Sequence, residues 1–583
     1  MITLDFESMP ITGALPPRPI GLAYKVGDTP ACYATAWEDM RSVLERAVKE
    51  HCIFHNAAFD LAIMRYWFQL PYPQEIHDTM ILLFLEDPHN PNLGLKPNAV
   101  KYLGLPPDEQ DLLHNWILRN VREAKPSTAG AYIYKAPLSL VEPYAKADVD
   151  MTYQLYQLLA SRHTGEAYQR ERQLIPILVE NTLEGIDLDL KALELDYAHY
   201  CSVLSQVNSI IYKKLGATFN IDSADELVAA IIKSGLPAQW VYTPTGKRST
   251  SKKNLETAIQ DKELIKLLSY RSTLCTYLES FYASWLTKHK NGTLHFSWNQ
   301  VRNSERGKTS VGTRTGRLSS VPSMLNVPKT PPTYDLDLPP LPSMRKYLLA
   351  DEGDVWIKRD YSSQELRVLA HYDDGDLMRA YIENPMLDMH QHIADMLTKN
   401  LGKPISRRHA KTMVFSILYG QGLTAMSEAL GCSYQEAQQI KHAFYVAVPG
   451  IKDVENSIKF SCNKGLPIKT FGGRFYFKEP SREIKDKRTG STRYADFSYK
   501  LLNYLIQGSS ADITKQALIN YNAIKQHGRF MLTVHDEINI SGPLSEHKIL
   551  DEAMQDIKLD VPLLSEVSYG LSYGSLEKLN DTV

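Results

Sequence analysis

The chain has 583 residues, more than one hydrophobic core can serve, so length alone implies about three to five domains. With 43% hydrophobic and 23% charged residues it has the balance of an ordinary soluble globular protein, and no apolar run approaches the roughly 20 residues that span a bilayer. A formal charge of -2 argues neither for nor against nucleic acid, because local clusters of Lys and Arg, not their total, attract phosphate.

Met1 to Glu7 carries two carboxylates and lacks the basic, apolar and small-residue stages of a secretory signal, so a cytoplasmic protein is expected. The six cysteines, at 32, 52, 201, 275, 432 and 462, form no CxxC pair and no zinc spacing; they read as reduced, packed thiols. No tandem period and no low-complexity tract is present, which disfavours a solenoid.

Residues 1–162 alternate short β-rich runs (Met1 to Phe6, Ile20 to Tyr24, His51 to Phe54) with helical patterns, which predicts an α/β layer. Asp5-Phe6-Glu7 ends the first strand, so side-chain alternation places both carboxylates on one face, roughly 6 to 7 Å apart. His55-Asn56-Ala57-Ala58-Phe59-Asp60 follows another strand and opens a helix, and Tyr144 and Asp148 lie one helical turn apart. Asp150 reads as structural.

Residues 163–300 are patterned as helices, Arg172 to Leu188 and Leu193 to Leu215 among them, with a polar basic loop, Gly246-Lys247-Arg248-Ser249-Thr250-Ser251-Lys252-Lys253. Residues 301–374 and 501–583 carry strand signals, and the helix-rich stretch 375–500 interrupts them, which predicts an α+β domain with a helical insertion. Lys485-Asp486-Lys487-Arg488 reads as surface. In the insertion Arg407, Lys411, Phe415 and Tyr419 recur every four residues, a helical stripe about 18 Å long with cations at one end and aromatics at the other. That arrangement suits a nucleoside triphosphate.

Two further segments carry acids. Val355 to Ile357 leads into Arg359-Asp360-Tyr361-Ser362-Ser363-Gln364-Glu365-Leu366-Arg367, a strand turning into a helix. Leu532-Thr533-Val534-His535-Asp536-Glu537-Ile538 reads as a hairpin with Asp536 at its turn. Thr313-Arg314-Thr315-Gly316-Arg317-Leu318-Ser319-Ser320 and the Asn503/Gln507 pair flank them.

Together these segments resemble the family A DNA polymerases of the polymerase I large-fragment type, phage-like, with a DEDD-type 3′ to 5′ proofreading exonuclease. Asp-x-Glu, Asn-x-x-x-Phe-Asp (here shortened by one residue) and Tyr-x-x-x-Asp are similar to the three exonuclease motifs. The segments around Asp360, Arg407 and Asp536 are similar to polymerase motifs A, B and C. The resemblance covers nearly the whole chain. It implies a multidomain α/β and α+β fold: an RNase H-like exonuclease domain (1–162), a helical thumb (163–300), a palm in two parts (301–374 and 501–583) and fingers (375–500), with no room for an N-terminal 5′ nuclease.

By that resemblance Asp5, Glu7, Asp60 and Asp148 hold two Mg²⁺ ions, or Mn²⁺, with Tyr144 orienting the attacking water. Asp360, Asp536 and the Tyr361 carbonyl hold the polymerase pair, and Glu537 has a supporting role. Arg407, Lys411, Phe415, Tyr419, Glu365, Gln364 and His390 meet the nucleotide, Glu365 obstructing a 2′-OH. Arg317, with Asn503 and Gln507 on the same side, meets DNA from the minor groove without sequence preference, His535 faces the primer end, and Lys247 and Arg248 belong to a loop that tracks duplex phosphates. Tyr499 stands where many relatives have arginine. The implied partners are primer–template DNA and deoxynucleoside triphosphates, with no membrane and a monomeric enzyme; a processivity factor is not readable. The rivals are a single-subunit RNA polymerase, opposed by Glu365 and the exonuclease motifs, and an inactive nucleic-acid-binding scaffold, opposed by two intact carboxylate sets.

Overall fold

The computed structural model describes residues 1–105, 108–243, 245–304, 310–485 and 492–579. Of the run Lys485 to Arg488, residues 486–488 lie outside the described residues. The N-terminal sheet has five strands, β1 (Ile2–Ser8), β2 (Pro19–Val26), β3 (Cys32–Ala34), β4 (His51–Phe54) and β5 (Glu75–Asp78), in the order β3-β2-β1-β4-β5. The first three pair antiparallel, whereas β1, β4 and β5 run parallel. β1 alternates apolar residues (Ile2, Leu4, Phe6) with polar ones (Thr3, Asp5, Glu7), and no residue of the strand is fully exposed, so both faces of the sheet are covered. Ile2, Leu4 and Phe6 enter the core with Leu22, Ile53 and Leu155. Asp5 stands opposite Ala23, which packs on Ala145 and Val149, so the odd-numbered face of β1 looks at the helix Leu138–Leu159.

The helix Glu166–Glu184 carries the chain away from this layer. It ends four residues before Leu188, the end expected from the sequence. Gly185 turns the chain at φ 71°, and Ile186 and Asp187 then pair with Leu294 and Thr293. The long helix Leu190–Leu215 follows, its first turn capped by Asp189, whose side chain accepts from the Ala192 amide at 3.0 Å.

The C-terminal sheet is wholly antiparallel. Its strands stand in the order Arg529–Val534, Glu537–Gly542, Val355–Tyr361, Ser565–Gly570, Glu577–Lys578. The long helix Lys500–Ile524 and the helix Glu546–Gln555 pack beside it, and between its first and second strands in sequence runs the series of helices from Gln364–Asp373 to Pro449–Asn463. Among the described residues no helix is long and apolar enough to cross a membrane. None of the six cysteines is in a disulfide, but the expectation that all are packed fails for Cys32 and Cys201, which are exposed.

The N- and C-terminal parts are joined by buried charge. Glu171 accepts from Lys515 at 2.6 Å and from Arg474 at 3.2 Å, and its second oxygen takes Gln300 at 2.8 Å. Arg474 also pairs with Asp512, and Arg170 donates to the Gly472 carbonyl at 3.0 Å. Although burial opposes ionisation, Lys515 and Arg474 hold the Glu171 carboxyl below its ordinary range; burial pulls the Lys515 ammonium down to about 8 against the attraction of Glu171. Glu171→Ala leaves two buried cations short of their counter-charge, and a loss of about 3–5 kcal/mol is expected. Denaturant unfolding measures it, and a loss below about 1 kcal/mol would show that the joint rests on packing alone.

Candidate active sites

The first cluster forms where three segments meet the C-terminal end of β1. Asp5 and Glu7 come from the strand, Asp60 from the helix Ala57–Ile63, and Tyr144 and Asp148 from the helix Leu138–Leu159. The Phe6 amide donates to Asp60 Oδ1 at 2.9 Å, which ties that helix to the strand. Asp78, at the end of β5, holds the start of the same helix: it accepts from the amides of Asn56 (3.0 Å) and Ala57 (2.8 Å) and caps the next helix through Met80 (2.8 Å). Asn56 reaches this turn in the left-handed region, at φ 71°.

Electrostatics shows that the acids share one pocket. Burial pushes the Asp5 carboxyl up to about 6 while Lys96 opposes the rise. Glu7 is raised by burial and then by Asp5, as is Asp60, and the Tyr144 hydroxyl is raised by burial, Glu7 and Asp5. Lys96, from the helix Leu95–Leu103, ion-pairs with Asp148 and lies 4.4 Å from the centre of the Tyr144 ring. Sequence reasoning missed Lys96 and Asp78, since neither belongs to a spacing that includes the acids they serve.

The second cluster lies at the end of two neighbouring strands. Asp360 is in the strand Val355–Tyr361 and Asp536 in the turn of the hairpin beside it, with His535 at φ 61°. The Tyr361 amide donates to the Asp536 carbonyl at 3.1 Å, which fixes the turn against the strand. Burial and then the neighbouring Asp360 push the Asp536 carboxyl up to about 7; Asp360 is raised by burial and by Glu537. Glu537 lies opposite Asp360 in the register, buried and bonded to Tyr573.

The stripe predicted in the insertion is real as far as Leu418. The helix Arg407–Leu418 is capped by Ser406, whose side chain accepts from the His409 amide at 3.2 Å, and Tyr419 follows as its final cap. Arg407, Lys411 and Tyr419 are exposed and Phe415 half-buried, its ring 5.7 Å from that of Tyr419 and 6.0 Å from that of His390. Arg407 is paired with Asp388 at 2.6 Å, a partner the spacing did not reveal. His390 is 5% exposed and its Nδ1 has no hydrogen-bond partner among the described residues; burial, Lys411 and Arg407 hold its pKa down to about 4. Gln364 is a correction. Expected at the nucleotide, it is 2% exposed and donates to Thr514 at 3.0 Å, so its side chain braces the helix Lys500–Ile524 instead.

Glu365 joins the stripe to the rest of the cleft. It pairs with Arg317 and accepts from the Tyr419 hydroxyl at 3.4 Å, and Gln507 approaches the same hydroxyl. Arg317 lines a small cavity with Lys515, Thr533 and His535. Its loop depends on Gly316: φ is 78°, and a Cβ there would overlap the Arg474 guanidinium, which donates to Thr315 at 3.0 Å. Asn503 and Gln507 lie one turn apart on the helix Lys500–Ile524, which Tyr499 precedes, its ring lying against Gly420. Lys247 and Arg248 are exposed on a separate turn; Lys247 pairs with Asp225 at 2.9 Å, and Arg248 lies 6.0 Å from the rings of Trp240 and Tyr242.

Comparison with known proteins agrees with this arrangement. Residues 191–575 match the model of DNA polymerase family A, and residues 23–163 match a 3′-5′ exonuclease model, which begins after β1. The thermostable DNA polymerase I of Thermus aquaticus is 29% identical over 495 residues, 80% of this chain and 55% of that protein. DNA polymerase I of Borreliella burgdorferi is 26% identical over 550 residues, 90% of this chain and 56% of that protein. The chain thus spans about half the length of the curated relatives it matches. The POL domain of Pol1 from M. smegmatis, solved in complex with DNA primer-template and dNTP, has the same fold, with a TM-score of 0.75, 21% identity and coverage of 99% of this chain and 96% of that one. Acids and cations from distant segments converge on two clusters within a chain whose larger part fits one family model: the chain belongs to DNA polymerase family A.

Proposed function

We propose that this chain extends primers on a DNA template with deoxynucleotides at the Asp360/Asp536 cluster and removes mismatched 3′ ends at the Asp5/Glu7/Asp60/Asp148 cluster. The observation that carries the reading is the convergence of buried and half-buried carboxylates at two separate places, Asp5 raising Glu7 and Asp60 at one and Asp360 raising Asp536 at the other.

Both donor sets consist of carboxylate oxygen, the ligand type that hard divalent cations prefer, so the residues fit Mg²⁺ or Mn²⁺. Asp360, Asp536 and the Tyr361 carbonyl would hold the ions of the synthetic site, and Asp5, Glu7, Asp60 and Asp148 those of the editing site. A bound pair of such ions supplies charge neutralisation for the entering and leaving oxygens of phosphoryl transfer. The protein's part is positioning. Arg407 and Lys411 meet the triphosphate; neutral His390 offers an unpaired ring nitrogen beside them; Phe415 and Tyr419 support sugar and base. Glu365, held by Arg317 and Tyr419, walls off the space of a 2′-OH. Arg317, Gln507, Asn503 and His535 face the primer end, Tyr144 orients the water of the editing reaction, and Lys247 and Arg248 follow duplex phosphates. We keep the domain limits at 1–162, 163–300, 301–374, 375–500 and 501–583 as part of this reading, with a monomer in the cytoplasm, where free thiols are stable, as the working form.

Asp360→Ala is expected to abolish templated extension in Mg²⁺ while sparing 3′ degradation, and Asp5→Ala to do the converse; loss of both activities in either variant would refute the division of labour. Glu365→Ala should raise ribonucleotide incorporation, and Phe415→Tyr should raise chain-terminator use, both read by single-nucleotide kinetics against the natural substrate. The raised Asp536 carboxyl also sets a pH dependence. Folded Asp536 takes up its proton at about 7, above the ordinary aspartate value of about 3.9, so its contribution to stability is complete in acid and disappears as pH rises through about 7. In EDTA, Asp536→Asn should therefore gain stability on the parent between pH 5 and 8, and Mg²⁺ should narrow the gap; a pH-independent difference in denaturant midpoints would contradict the assignment.

A further inference from the structure

Lys358 lies two residues before Asp360 on the same strand, so both side chains leave the same face of the sheet. Its ammonium is 3.7 Å from Asp360 Oδ2 and 3.6 Å from Glu537 Oε2, and the residue is only 8% exposed. The register accounts for this meeting, with Asp360 opposite Glu537 and Lys358 opposite Asn539.

Glu537 is committed on its other side. Tyr573 donates its hydroxyl to Oε1, and Asn539 donates to the same oxygen at 3.1 Å. Asn539 is held in turn by the Trp356 indole at 2.9 Å, and Trp356 stacks on Tyr573 with ring centres 5.0 Å apart. The Arg345 guanidinium lies 4.2 Å from the centre of the Tyr573 ring. Protein donors occupy one oxygen of Glu537, and an ammonium faces the second. A charge this close to a carboxylate that would hold cations, and this poorly solvated, acts on any incoming ion with little screening.

We propose that Lys358 is a resident counter-ion of the synthetic site: a positioning residue that keeps Glu537 from coordinating metal and weakens divalent-cation binding by the enzyme alone, so that loading depends on the negative charge a nucleoside triphosphate brings. The inference rests on Asp360 and Asp536 being metal ligands.

The test is Mn²⁺ titration of the full chain by electron paramagnetic resonance, counting as palm-bound the fraction lost in Asp360→Ala. Without nucleotide, Lys358→Met is expected to bind that Mn²⁺ about three- to tenfold more tightly than the parent, and addition of dATP should close most of the difference. Lys358→Arg, which keeps the charge, should behave as the parent, and Lys358→Gln should follow Lys358→Met if the methionine variant folds poorly. Lys358→Met and Lys358→Gln should also unfold more easily than the parent in EDTA and recover in Mn²⁺, as a structural role alone would not require. Equal or weaker Mn²⁺ binding by the uncharged variants overturns the role of Lys358 while leaving the metal site standing. Absence of any Asp360-dependent Mn²⁺ in every chain removes the site itself, and the proposal with it.

Discussion

Like-charge repulsion among partly desolvated carboxylates is the constraint on which the two clusters turn. Asp5 raises Glu7 and Asp60, Glu537 raises Asp360, and Asp360 raises Asp536, so neither set is stable as a group of bare anions without compensation. The chain answers in the same way twice. An ammonium stands among the acids of each pocket, Lys96 beside Asp148 and Lys358 between Asp360 and Glu537. Backbone amides add to this by pointing at Asp60 and Asp78, so part of the compensation is built from the main chain and survives any side-chain change.

Much of this was legible in the sequence because the acids obey local periodicities. Two residues apart on a strand, or four apart on a helix, fixes a shared face without any knowledge of the fold, and Asp5/Glu7, Tyr144/Asp148 and Arg407/Lys411/Phe415 follow from that rule. The antiparallel hairpin that presents Asp536 follows from apolar runs on either side of an acidic centre. What stayed hidden depends on contacts between remote segments. Lys96 and Asp78 gain their meaning from elements that the chain brings together only after folding, and Asp388 from a helix start 19 residues before Arg407. Gln364 shows the opposite limit: the family resemblance puts it at the nucleotide beside Glu365, yet adjacent residues on a helix point about 100° apart, and it faces the core. The expected end of the helix Glu166–Glu184 lies four residues too late, although Gly185 stands directly after it. The decisive fact is the pairing of Ile186, the next residue, with Leu294, more than a hundred residues away.

The same separation between local and remote information appears in the thumb. A basic loop was plain from composition, but its partners were not: Lys247 is paired with Asp225 and Lys253 with Glu428, so part of the exposed charge is already neutralised within the chain. Exposed pairs of this sort are weak and yield readily to a stronger anion.

The joint around Glu171 has one further consequence. Its charges are almost sealed from water, and the helix that bears Glu171 belongs at one end to the N-terminal layer and at the other, through Asn181, to the strand carbonyls of Phe530 and Met531. A hinge at that place would have to strip ions of their partners in a dry interior, so the span from one acidic pocket to the other behaves as a fixed length. Whatever uses both pockets in succession must itself be the travelling part, and its flexibility, not the enzyme's, governs the passage.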